Sequence, residues 1–115
     1  MKTHHGSCHC GAIAYNVTAD IEKVIACNCS HCARKGFLLA FVPAEQFELL
    51  SGEENLTEYR FNSKRIAHLF CKTCGVQCFG RGEHDGKKTI AINVRTITDI
   101  NPTELTITEV DGKNR

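Results

Sequence analysis

The chain has 115 residues, 42% of them apolar, with eight cysteines, and its 14 Lys and Arg nearly balance 13 Asp and Glu. That balance excludes the broad basic surface on which phosphate-dominated nucleic-acid binding rests, and no apolar run approaches the roughly 18 residues of a membrane span. The size predicts one domain over residues 1–115, with a core small enough to need additional ties.

The first ten residues are polar and hold three histidines, unlike a secretory leader, so the expected compartment is the cytoplasm, with reduced thiols. Residues 12–17 alternate large apolar with small or polar side chains, the pattern of a half-buried strand. Residues 20–23 read as a short helical turn. Residues 24–26 lead as a strand into a cysteine-rich turn that Gly36 ends. The apolar run 37–42 has strand length and stops at Pro43, with a second helical turn over 43–46. Residues 47–50 form a strand before the Ser51-Gly52 turn, and 56–61 alternate again. Residues 66–70 bring a strand to Cys71, and 76–79 read as another. The glycine-rich segment 80–86 reads as a flexible loop, more simply a solvated hairpin than the border of a site. Residues 89–94 and 105–108 are rich in β-formers. The pattern predicts an all-β chain of about seven to nine short strands, with no repeat, linker or low-complexity segment.

The cysteines fall into tight groups: Cys8-His9-Cys10, then Cys27-Asn28-Cys29-Ser30-His31-Cys32, then Cys71-Lys72-Thr73-Cys74 with Cys78 trailing. Disulfide frameworks spread their cysteines to close long loops, whereas C-x-C and C-x-x-C pairs aim at a common atom. Zinc suits such thiolates, and ferredoxin spacings are absent. Four protein ligands mark a structural zinc and three mark an open one, so the middle C-x-C-x-x-C group, with three thiolates from one turn, is the candidate reactive centre. Spacing alone does not assign partners between groups. Cys78 either supplies a fourth thiolate to the middle group or is a small buried strand residue; burial is the expectation. His9 and His31 lie inside the groups and are expected to orient ligands or pack the turns. His4, His5, His68 and His84 read as surface or core histidines. A zinc ribbon is disfavoured, because 38 residues (33–70) separate Cys32 from Cys71.

Gly6-Ser7-Cys8-His9-Cys10-Gly11-Ala12-Ile13, Cys27-x-Cys29-Ser30-His31-Cys32 and Phe70-Cys71-x-x-Cys74-Gly75 together resemble the glutathione-dependent formaldehyde-activating enzyme family. The stretch Ile92-Asn93-Val94-Arg95-Thr96-Ile97-Thr98-Asp99 is similar to that family's closing strand and turn. The resemblance implies a compact all-β fold of the Mss4-like type with two zinc ions. It implies that Cys8, Cys10, Cys71 and Cys74 hold a structural zinc, and Cys27, Cys29 and Cys32 a second zinc open to a thiol. The implied activity is a carbon–sulfur lyase type of chemistry that joins a small thiol such as glutathione to formaldehyde, giving S-(hydroxymethyl)glutathione. The expected partners are therefore a small thiol and an aldehyde. Lys35, Arg81 and Arg95 are candidate holders of a substrate carboxylate. The alternative is a non-catalytic, zinc-stabilised module that binds a protein partner, since fold alone does not specify activity.

Overall fold

The computed structural model describes residues 1–60 and 66–111, the side chain of His84 excepted. Two sheets build it. The smaller has the order β1-β2-β5, with β1 at Lys2–Ser7, β2 at Ala14–Ala19 and β5 at Phe47–Ser51. The larger has seven strands in the order β10-β3-β4-β9-β8-β7-β6. Its members are β3 (Lys23–Cys27), β4 (Leu39–Pro43), β6 (Leu56–Tyr59), β7 (Ala67–Cys71), β8 (Gln77–His84), β9 (Lys87–Asn93) and β10 (Thr106–Val110). All pairs are antiparallel except β10 with β3. One short helix, α1 (Ser30–Lys35), follows β3.

Period-two burial explains the layering. In β2, Tyr15, Val17 and Ala19 point inward; in β4, Ala40 and Val42 do so; in β7, Ala67, Leu69 and Cys71 do. These meet Phe79, Ile90 and Ile92 in one apolar cluster. Aromatic rings tie the sheets together: Tyr15 stacks on Phe47 at 5.3 Å, and Phe47 lies tilted against Phe79 of the large sheet at 4.7 Å. The Tyr15 hydroxyl and Thr96 Oγ1 are 2.7 Å apart, and Thr96 Oγ1 donates to the Asn93 carbonyl. Burial raises the Tyr15 phenol well above its usual range.

The all-β class holds, and the described strands number ten. β1 went unread because only His4 and Gly6 face inward. His4 is buried through its Nδ1 contact with Asp99 at 3.0 Å, and a Cβ on Gly6 would land on the Tyr15 ring. The helical turn expected at 20–23 is absent: Asp20 to Glu22 are irregular and Lys23 already belongs to β3, which β10 and β4 recruit. The turn at 43–46 is a 3-10 turn, Ala44–Gln46. The loop expected at 80–86 is strand through His84, closed by Asp85-Gly86 with φ of 52° and 76°. Two left-handed residues are what a two-residue hairpin turn demands. The strand expected at 56–61 ends at Tyr59; Phe61 lies outside the described residues. No helix among the described residues is long and apolar enough to cross a membrane.

Candidate metal centres

Two groups of thiols form. Cys8 and Cys10 sit in the turn from β1 to β2; Cys71 ends β7, and Cys74 lies in the turn into β8. The turn of the small sheet and the turn of the large sheet thus face each other. All four Sγ atoms lie within 4.8 Å of one another, with Cys8 to Cys10 at 3.7 Å and Cys10 to Cys71 at 3.6 Å. Four sulfurs at about 2.3 Å from a tetrahedral zinc would be spaced by about 3.8 Å, so the donor set fits that ion. Each pair is followed by a glycine in the left-handed region, Gly11 at φ 83° and Gly75 at φ 81°, where a side chain would be strained.

Local amides prepare these sulfurs for charge. Ile13 N donates to Cys8 Sγ at 3.3 Å, and Cys74 N to Cys71 Sγ at 3.5 Å. Asn55 Nδ2 adds a donor to Cys71 Sγ at 3.3 Å. The Cys74 amide is the largest influence that brings the Cys71 thiol down to about 6. Asn55 is a member of this centre that no spacing rule reveals, because a tertiary turn delivers it.

The second group is Cys27 at the end of β3, Cys29 at the helix start and Cys32 inside α1, again with all Sγ atoms within 4.8 Å. Cys29 caps α1 by accepting from Cys32 N at 3.3 Å, and Cys29 N donates to Cys27 Sγ at 3.5 Å. Burial raises the Cys29 thiol, but the donated Cys32 amide and its neighbours outweigh it and bring the thiol below its ordinary value. Burial, then Cys29, push the Cys32 thiol up. Among the described residues, no fourth His, Cys, Asp or Glu joins this trio. Cys78 lies elsewhere. It is 1% exposed in β8 and feels the charges of Cys8, Cys74 and Cys71, and burial pushes its thiol up to about 12.

Aromatic rings border the trio. His31 lies 4.2 Å from the His68 ring, 5.7 Å from Phe37 and 5.7 Å from Tyr59. Burial, then His31 and Lys35, lower the His68 imidazole to about 4, which keeps it neutral near pH 7. Lys35 Nζ sits 5.3 Å over Phe70, and Arg95 Nε donates to the Gly36 carbonyl at the end of α1. Both cations therefore flank the trio's helix. Arg81 is instead paired with Glu53 at 3.3 Å, on the face of β8 that carries Phe79. His9 is exposed in its turn, and His5 contacts Asn16 Oδ1 at 3.1 Å.

Fold and site together define a small all-β protein with two cysteine clusters suited to metal ions. The sequence profile of the family described as glutathione-dependent formaldehyde-activating enzyme matches residues 3–109, and the chain belongs to that family. A protein of Emericella nidulans bearing that family's name is 32% identical over 81 residues, which are 66% of this chain and 41% of the relative. The match thus spans about two-fifths of that relative's length. A solved structure of a Rhodobacter sphaeroides protein superposes with a TM-score of 0.79 at 30% identity, covering 90% of this chain and 99% of that one.

Proposed function

We propose that this chain is a cytoplasmic, single-domain, zinc-dependent enzyme of carbon–sulfur lyase type, which joins a small thiol such as glutathione to formaldehyde or a related aldehyde. Cys8, Cys10, Cys71 and Cys74 would hold one zinc as a closed structural tie, and Cys27, Cys29 and Cys32 would hold a second with a coordination position to spare. The observation that carries the reading is the second group: three converged sulfurs with no fourth ligand among the described residues. When bound there, the cation favours the thiolate form of an incoming thiol at neutral pH.

The chain's own groups do the rest. The trio fixes where the thiol enters, at the end of β3 beneath a short helix. His31, Phe37, Tyr59 and His68 form a wall of four rings beside it. Lys35 and Arg95 lie within the same neighbourhood as cations for a substrate carboxylate. In the addition, a sulfur electron pair forms the C–S bond, the carbonyl π pair moves to oxygen, and the proton lost by the thiol ends on that oxygen. The product is a hydroxymethyl thioether.

The test is exchange spectroscopy by NMR on glutathione and formaldehyde with the zinc-loaded protein. Interconversion with S-(hydroxymethyl)glutathione should accelerate over the uncatalysed rate, and Cys29→Ser should abolish the acceleration while the circular dichroism spectrum stays unchanged. No acceleration by the wild-type protein would overturn the enzymatic reading in favour of a zinc-stabilised binding module.

A further inference from the structure

The segment that leaves the small sheet for the large one touches the turns on both sides of the quartet. Residues 51–55 run from the end of β5 to the start of β6, and Glu53–Asn55 form a 3-10 turn in which Asn55 N donates to the Gly52 carbonyl at 2.8 Å. The first residues of the segment meet the turn that follows Cys8 and Cys10. Ser51 Oγ donates to the Ala12 carbonyl at 3.3 Å, and a Cβ on Gly52 would land on that carbonyl and on Ile13. Gly52 is left-handed at φ 96°, a conformation that suits glycine. The last residue, Asn55, meets the turn that holds Cys71 and Cys74. Lys72 N donates to the Asn55 carbonyl at 2.9 Å, and Asn55 Nδ2 donates to Thr73 Oγ1 at 3.0 Å and to Cys71 Sγ at 3.3 Å.

Four thiolates leave a divalent ion with surplus negative charge, and burying such charge is costly unless hydrogen bonds take it up. Cys71 is 0% exposed, so donors from the protein must replace water at its sulfur. Ile13 N serves Cys8 Sγ and Cys74 N serves Cys71 Sγ, while Cys29 N and Cys32 N serve the trio. Those four are main-chain amides, which side-chain substitution leaves in place. The Asn55 carboxamide is different, because the sequence has to specify it. Its amide nitrogen carries two hydrogens, and both have acceptors, Cys71 Sγ and Thr73 Oγ1. Thr73 and the main-chain bond from Lys72 thus fix the direction in which the carboxamide points.

We propose that Asn55 is a positioning residue of the quartet, whose carboxamide N–H holds Cys71 Sγ in place and takes up part of its charge. Asn55 then raises the affinity of the quartet for a divalent metal and lowers the electron donation from Cys71 to it. Side chains that hydrogen-bond a metal ligand in this way typically carry about 10- to 100-fold in affinity. This rests on the reading of the quartet as a metal centre and is independent of the thiol–aldehyde chemistry at the trio.

The test uses the full chain carrying Cys29→Ser, which breaks the trio and keeps all four quartet ligands, loaded with cobalt(II). The cobalt–thiolate charge-transfer band, and the affinity measured against a competing chelator, are compared with and without Asn55→Ala. The added substitution should weaken cobalt by about ten-fold or more. It should also move the band to longer wavelength, because a sulfur that has lost its N–H donor gives up an electron more readily. Asn55→Asp is close in shape, but its carboxylate only accepts and adds negative charge beside the thiolates. It should weaken cobalt further, and it serves if Asn55→Ala fails to fold. An unchanged band and affinity overturn the assignment, even with a lower melting temperature, since Asn55 would then only form its turn. If the Cys29→Ser parent binds no cobalt with a tetrathiolate spectrum, the reading of the quartet as a metal centre falls and takes this one with it.

Discussion

The two cysteine groups should differ sharply in what their loss does to the fold. Cys10 and Cys71 are 61 positions apart, one in the turn of the small sheet and the other at the end of β7 in the large one, so a metal ion shared by the quartet cross-links the two layers. By the chain-entropy relation for closing a loop of that length, the restraint is worth about 4 kcal/mol, before any ligand-bond energy is counted. That is comparable to the whole net stability of a small domain, roughly 5–15 kcal/mol. The trio closes only the short segment from Cys27 to Cys32, for which the same relation gives about 2 kcal/mol. Moreover, Cys32 is the only buried residue of α1. At about 4 °C per kcal/mol, Cys71→Ser should lower the melting temperature by roughly 15 °C or more, and Cys29→Ser by less than about 8 °C. The assay is thermal circular dichroism of the zinc-loaded proteins, with zinc counted by atomic emission. Equal losses in the two variants, or a larger one for Cys29→Ser, would refute the assignment of quartet to structure and trio to chemistry.

Three further outcomes follow from the packing. Gly6→Ala drives a Cβ into the ring of Tyr15, itself fully buried, and should cost about 1–3 kcal/mol in a urea melt. Thr96→Val leaves the buried Tyr15 hydroxyl without its 2.7 Å partner and should cost about 1–3 kcal/mol in the same experiment. His68 titrates near 4 in the folded chain against an ordinary 6.5, so the unfolded chain binds the extra proton between those values. Stability should thus be complete above pH 6.5 and decline as pH falls toward 4, by no more than about 1–2 kcal/mol after solvent screening, and His68→Phe should flatten that slope.

What could be read in advance was whatever a few neighbouring residues decide. The C-x-C and C-x-x-C spacings compel neighbouring sulfurs to converge, so the trio and each half of the quartet were legible, while the joining of the two halves was implied only by the family resemblance; alternation marked the inward faces of β2 and β7. β1 was not, because its inward residues are a histidine and a glycine whose fitness depends on Asp99 and Tyr15, distant in the chain. The strand character of residues 80–84 was hidden for a similar reason. Gly80 and Gly82 read as loop formers, yet they are paired on both sides by β7 and β9, or by β9 alone, beneath bulky neighbours such as Ile66. The trio's surroundings were equally obscure: Tyr59 and His68 reach His31 of α1 only because the sheet brings β6 and β7 beside it.

The closing stretch from Asn93 to Asp99 carries part of the family resemblance, and its hydrogen bonds give the physical reason. Asn93 donates to the Gln77 carbonyl and accepts from Arg95 N; Arg95 holds the carbonyl of Gly36 at the end of α1. Thr96 donates to Asn93 and meets the core hydroxyl of Tyr15, while Asp99 takes His4 of β1. One short segment thus anchors the helix of the trio, the start of β8, and the small sheet whose turn supplies half of the quartet. Neither cysteine group needs this segment as a ligand. Both need it to stand where they do relative to the sheet, so substitutions at Asn93 or Thr96 should disturb the two centres together, whereas those within a cysteine group should disturb one.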